Sequence, residues 1–198
     1  MKRCCLLAIL ALSGCANEEL PSNPLPYLSE TRLVDFNFSQ PIDYMEHRLI
    51  YFLGAQTNPN DYTIVTEFSP AIKSGLTETQ LLFLSQAVSL GGLGSGCMPA
   101  SCSFYFVIVD GESVLIIDNE LDLMELIGDV DSPAELHLVL FSGQHYPLFY
   151  EVVEDGYRVL ASWSNCSGGS GQDLLAVDRL GNITLIKHIN KKQENTMC

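Results

Sequence analysis

Apolar and polar positions change period several times along this chain, and each change predicts an element. From Thr31 to Phe38 they alternate, with Val34, Phe36 and Phe38 on one side, which predicts a strand. His47 to Leu53 follows Pro41 as a more apolar strand, Asn58-Pro59-Asn60-Asp61 carries turn chemistry, and Tyr62 to Phe68 is rich in β-formers. Three early strands separated by turns predict a meander. The period then lengthens. Thr77 and Gln80 make a capping box, Leu81, Leu82, Leu84, Ala87 and Val88 give a broad apolar stripe, and Gly91-Gly92 stop it, so a helix is expected over about 78–90.

The period shortens again at Phe104 to Val109 and Val114 to Ile117, two β-rich runs joined at Asp110-Gly111, where a turn tolerates positive φ. Asn119 caps a short helix over about 120–127, ended by Gly128. Ser132-Pro133-Ala134-Glu135 combines a capping box with proline at the first helical position and opens a helix over about 133–143 that carries Leu136, Val139, Leu140 and Phe141. These short helices are expected to cover one face of a sheet. Leu148 to Val153 with Tyr157 to Trp163 reads as a hairpin turning at Glu154-Asp155-Gly156. Leu174 to Asp178 with Ile183 to Ile189 reads as another, turning at Leu180-Gly181-Asn182. Ser164 to Gly171 reads as a small-residue loop between them. The expected fold is α+β: mostly antiparallel β-sheet built from hairpins, with one longer and two short helices, in a single globular domain over 31–190. Residues 191–198 read as a polar tail that frays.

The amino end follows a different grammar. Lys2 and Arg3 supply a positive region, Cys4 to Leu12 a short apolar one, and Ser13 and Gly14 are small residues directly ahead of a cysteine. That apolar run is about half of the roughly 20 residues that span a bilayer. The pattern Leu12-Ser13-Gly14-Cys15 resembles the lipobox of bacterial lipoproteins. The resemblance covers the first fifteen residues and implies that residues 1–14 are a signal peptide removed before Cys15. It further implies that Cys15 is acylated and becomes the membrane attachment point. Acyl chains contribute about 0.8 kcal/mol per buried methylene, so two or three make the anchorage effectively permanent. In enterobacterial lipoproteins an aspartate after the cysteine marks inner-membrane retention. Here Ala16 follows, which points to the outer membrane facing the periplasm, while Glu18-Glu19 resembles the acidic cluster that marks surface export in some bacteria. Residues 15–30, punctuated by Pro21, Pro24 and Pro26, read as the lipidated cysteine and a flexible tether.

Processing changes the composition. The full chain has formal charge −14, and once Lys2 and Arg3 leave with the signal the remainder carries 8 basic against 24 acidic residues, or −16. A body this acidic argues against nucleic acid and against docking on anionic headgroups, and favours cationic or neutral partners. Cys4 and Cys5 are lost too, leaving Cys97, Cys102, Cys166 and Cys198 in an oxidising compartment, with three possible pairings. Cys97 and Cys102 enclose the short turn Met98-Pro99-Ala100-Ser101 and are paired first. A loop this short contributes only about 2 kcal/mol. Cys166 with Cys198 follows by elimination. A metal reading lacks both CxxC spacing and a nearby histidine.

Candidate chemistry is sparse. Gly91 to Gly96 follows a helix and runs into the cysteine turn, whereas a nucleotide loop follows a strand and opens a helix. Asp118, Glu120, Asp122, Asp129 and Asp131 lie close in sequence but lack the EF-hand spacing, and acids at helix starts suit the dipole. Ser167 and Ser170 do not complete a nucleophile elbow. His47, His137, His145 and His188 lie on different elements without ligand spacing and read as partly exposed residues, the middle two about 12 Å apart. Asn37, Asn165 and Asn182 stand in glycosylation sequons, which carry little weight in a bacterium. No catalytic residue, metal or cofactor is assigned. The expectation is a membrane-anchored envelope lipoprotein that binds a protein partner or serves an envelope machine, an immunity-type inhibitor of a basic toxin included. The alternative is an envelope hydrolase whose acid pair cannot be read from spacing.

Overall fold

Capping chemistry places the three α-helices found among the described residues. Thr77 accepts from the Gln80 N–H at the start of α1 (Glu78–Gln86), Asn119 accepts from the Asp122 N–H at the start of α2 (Glu120–Ile127), and Ser132 and Glu135 close a reciprocal box at the start of α3 (Pro133–Ser142). These lie in a computed structural model that describes residues 19–52, 62–68, 73–89, 92–93, 101–164 and 169–193. The strands are β1 (Asn23–Pro24), β2 (Tyr44–Phe52), β3 (Tyr62–Phe68), β4 (Ser101–Asp110), β5 (Ser113–Ile117), β6 (Tyr146–Val153), β7 (Gly156–Ser164), β8 (Gly169–Asp178) and β9 (Ile183–Gln193). The fold is α+β and mostly antiparallel sheet.

The strands divide into two sheets, ordered β3-β2-β4-β5 and β1-β6-β7-β8-β9. Three hairpins expected from the turn residues form. Gly111 at φ +54 and Glu112 make the β4–β5 turn, one residue later than Asp110-Gly111, because Asp110 pairs with Ser113. Gly156 sits at φ +144 after the β6–β7 turn, and a Cβ there would lie 2.2 Å from the Val177 carbonyl oxygen, so only glycine lets β7 approach β8. The Ser164–Gly171 region is not wholly loop, since β8 begins at Gly169. Nor does the chain fray at Lys191, because Lys191, Lys192 and Gln193 pair with Gly171, Ser170 and Gly169.

Both short helices pack in the core on one face of the four-stranded sheet, α2 with one side exposed and α3 enclosed. Residues Ala134 to Leu140 of α3 are buried without interruption. The core around them draws Met45, Phe106 and Ile108 from one sheet and Tyr157, Val159, Ala161, Leu175 and Val177 from the other. A helix buried on every side, with its polar Glu135 and His137 hydrogen-bonded, belongs in such an interlayer position. The opposite face of the four-stranded sheet carries a second core of Tyr44, Ile50, Tyr105, Val107 and Val109, closed by Leu84 and Ala87 at the end of α1.

Two expectations near the amino end fail. Residues 31–38 are not a strand: Leu33–Asp35 is a 3-10 turn, with Asp35 N–H bonded to the Arg32 carbonyl and Phe36 N–H to that of Leu33. Its period of three buries Leu33 and Phe36 and leaves Val34 exposed, while Phe38 stacks on Phe36. The segment expected as free tether docks from Asn23 onward, where β1 pairs with Tyr150 and Phe149 and Leu25 and Leu28 enter the core. No helix of the described residues is long and apolar enough to cross a membrane.

Candidate functional site

β2 presents alternating side chains, and its outward set, Tyr44, Glu46 and Arg48, lies beneath α1. Arg48 is fully buried. Its guanidinium meets Glu46 through Nε at 2.6 Å and Nη2 at 2.5 Å, and donates to the carbonyls of Ala87 at 2.6 Å and Leu84 at 2.9 Å. It also lies 4.1 Å from the centre of the Tyr62 ring. The other Glu46 oxygen accepts from Tyr44 Oη at 2.7 Å and Lys73 Nζ at 2.8 Å. Glu67, directly opposite Glu46 on β3, shares both of those partners.

The formal charges of these four ions cancel, and the electrostatics hold the network as drawn. The hydrogen bond from Lys73 keeps the Glu67 carboxyl below its usual range. Burial alone would lower the Lys73 ammonium, but its bonds to Glu46 and Glu67 raise it on balance. Burial and the two carboxylates keep Tyr44 protonated far above the usual phenol range. A hydrolytic acid pair needs carboxylates of unlike protonation facing a cavity. Glu46 is closed off under α1 with both oxygens taken. The network is a clamp: it satisfies the last carbonyls of α1, ending that helix at Gln86 instead of near residue 90, and fixes α1 on the sheet.

The clamp holds an apolar surface outward. Leu81 and Leu82, expected in an apolar stripe, and Phe83 beside them are 40%, 53% and 45% exposed, while Leu115 on neighbouring β5 is 38% exposed on the opposite face of the sheet, with Ile117. An open groove of about 450 Å³ runs between α1 and β5, lined by Phe83, Gln86, Ala87, Glu112, Val114 and Ile116. Another of about 280 Å³ lies on the opposite side of β5, against Asp122, Glu125 and Leu126 of α2. Exposed Glu112 lines the first groove, and exposed Asp122 and Glu125 line the second. The α1–β5 face, with β5 between these two grooves, is the candidate functional site.

Of the residues singled out in the sequence, Asp122 lines the groove against α2, and the histidines fall elsewhere. His47 and His137 are buried, not partly exposed: His47 packs among Phe104, Phe106 and Phe141 at 5.4, 5.0 and 5.6 Å, and His137 donates from Nδ1 to the Pro26 carbonyl at 2.7 Å. His188 bonds through Nδ1 to Asp173 at 2.8 Å, an arrangement that orients an imidazole, and Ala161 rather than a hydroxyl residue stands opposite Asp173 on β7. Asp122 and Asp131 serve the polar groups of Asn119 and Asn37, and Asp118 accepts from Ser89. Among the described residues no three His, Cys, Asp or Glu side chains converge as a metal site requires. Cys15, Cys97, Cys166, Cys198 and Ser167 lie outside the described residues, as does the side chain of Cys102, whose backbone pairs with that of Tyr51 in the sheet.

No protein-family model matches the chain, and neither a curated protein nor a solved structure matches it significantly. The α1–β5 face was missed in the sequence because Leu81 and Leu82 fit an apolar stripe as well as an exposed patch, and Phe83 beside them was passed over. The only available signal was their adjacency, since three consecutive residues cannot all share one helix face.

Proposed function

We propose that this chain is a lipid-anchored bacterial envelope protein that works by binding a partner protein, with the α1–β5 face as its contact surface. The lipobox at Cys15 supports the anchorage, and the direction of sorting drawn from Ala16 favours the outer membrane facing the periplasm. The observation that carries the binding reading is the exposure of Leu82 and Phe83 on α1, with Phe83 lining the groove against β5, on a helix held in place by a buried ionic clamp. Exposed apolar residues grouped on a rigid support and rimmed by charge are the anatomy of a recognition surface. An immunity-type inhibitor of a basic toxin fits the carboxylates that line the two grooves.

The test is affinity capture of the full lipidated chain from its native envelope, beside the Leu82→Asp, Phe83→Asp double variant. A partner recovered with the unaltered chain and lost with the variant is the expected result. Recovery of no partner, together with hydrolysis of an envelope polymer by the purified chain, overturns the reading.

A further inference from the structure

We propose that β5 is a docking strand, extended by a strand from a partner protein that carries apolar residues at alternate positions and Lys or Arg at both ends. This rests on the binding reading of the α1–β5 face and specifies its mode. β5 ends its sheet, with β4 as its one strand neighbour among the described residues. Because the hairpin closes on the Asp110–Ser113 pair, Ser113, Leu115 and Ile117 exchange hydrogen bonds with β4, and Val114 and Ile116 turn their backbone groups to the open side. Ser113-Val114-Leu115-Ile116-Ile117 holds no charge and no proline.

The remaining sheet edges are guarded. β9 carries Lys187, Lys191 and Lys192; β1 is two residues long and ends in Pro24; β3 carries Glu67 and is bulged at Val65, where Thr66 faces His47 and Ile64 faces Arg48. Charge, brevity, proline and bulges are how edges avoid adventitious pairing. β5 has none of these devices and instead lies between two grooves, one against α1 and one against α2. A strand added there sends successive side chains to opposite faces, one set into each groove.

Charge selects the occupant. From Ser74 to Tyr157 the chain has no Lys or Arg; Asp110 and Glu112 precede β5 and Asp118 and Glu120 follow it in sequence, while Glu112 lines one groove and Asp122 and Glu125 the other. A second copy fits poorly, since antiparallel pairing of β5 about Leu115 sets Glu112 of one copy against Asp118 of the other. A strand with cationic ends meets carboxylates at both.

Two synthetic peptides of identical alternating Val-Thr core, one with lysine pairs and one with glutamate pairs at its ends, are titrated against the full chain in detergent and read by fluorescence anisotropy. The lysine peptide is expected to bind with roughly micromolar Kd and the glutamate peptide about tenfold or more weakly. Val114→Pro, which removes an outward N–H without breaking the β4 ladder, and the exposed double change Glu112→Lys, Asp122→Lys each weaken the lysine peptide about tenfold. The charge variant also narrows or reverses the preference between peptides. Failure of the lysine peptide to bind, equal binding of both peptides, or unchanged binding by both variants overturns the proposal. So does a dimer in sedimentation that Val114→Pro dissolves, which assigns the edge to a second copy. A partner captured from the envelope that depends on Leu82 and Phe83 but not on Val114 removes the β5 mode and leaves the binding reading. Envelope-polymer hydrolysis without a partner removes the binding reading itself.

Discussion

Arg48 on β2 donates to the Ala87 carbonyl at 2.6 Å, so a buried cation from the sheet closes the carboxyl end of α1. Helix-end carbonyls and a guanidinium complement each other in charge as well as in hydrogen bonding. The same guanidinium neutralises Glu46, which has no exposure of its own. Arg48→Met therefore leaves a carboxylate under α1 with Lys73 and Tyr44 alone and orphans two carbonyls. A loss of about 3–5 kcal/mol in urea denaturation is expected, with most of it recovered when Glu46→Leu is added.

Burial pushes the His47 imidazole down to about 4, with nearby His137 acting in the same direction. The folded state keeps His47 neutral while the unfolded chain titrates near 6.5, so the unfolded state binds more protons between those values and stability falls as pH drops from 6.5 toward 4. His47 alone accounts for roughly 3 kcal/mol across that window. Neither ring nitrogen has a hydrogen-bond partner among the described residues. His47→Phe, set among three phenylalanines, should flatten this part of the pH profile and raise stability at pH 7 by about 1 kcal/mol, measured by denaturant melts at several pH values. A profile as steep as that of the unaltered chain contradicts the assignment.

Gly156 is held at φ +144 with the Val177 carbonyl where a Cβ would stand. Gly156→Ala is expected to cost more than about 2 kcal/mol, because backbone strain and a clash with backbone coincide. The thermal midpoint gives the comparison.

Leu82 and Phe83 contribute surface rather than core. The double change Leu82→Gln, Phe83→Gln is expected to shift unfolding free energy by less than about 0.5 kcal/mol while reducing partner capture. A large loss of stability places these side chains in an undescribed contact and removes them from the recognition face.

Local signals carried much of the architecture. Asn119 with Asp122, and Ser132 with Glu135, cap their helices with bonds between residues three apart, which is why α2 and α3 were legible within a residue or so. The turn glycines Gly111 and Gly156 placed two hairpins for the same reason. Val34, Phe36 and Phe38 misled because an apolar residue at every second or every third position gives nearly the same short pattern, and it is Leu33 and Phe36 that are buried. Arg48, Glu46, Glu67, Lys73 and Ala87 form a unit across forty residues of chain, and nothing in the spacing of polar residues within a strand reveals that they meet. Splitting into two sheets around α3 was equally remote from local pattern, although the apolar run Leu136 to Phe141, interrupted only by His137, had a buried helix as its physical explanation.

The covalent state of Cys15 decides whether the proposed recognition face stands at a membrane surface. Intact-mass analysis of the chain recovered from bacterial membranes should find residues 1–14 absent and a fatty adduct on Cys15, with the adduct and membrane retention both lost in Cys15→Ser. A chain still carrying residues 1–14, free of any acyl group and released with the soluble fraction, contradicts it.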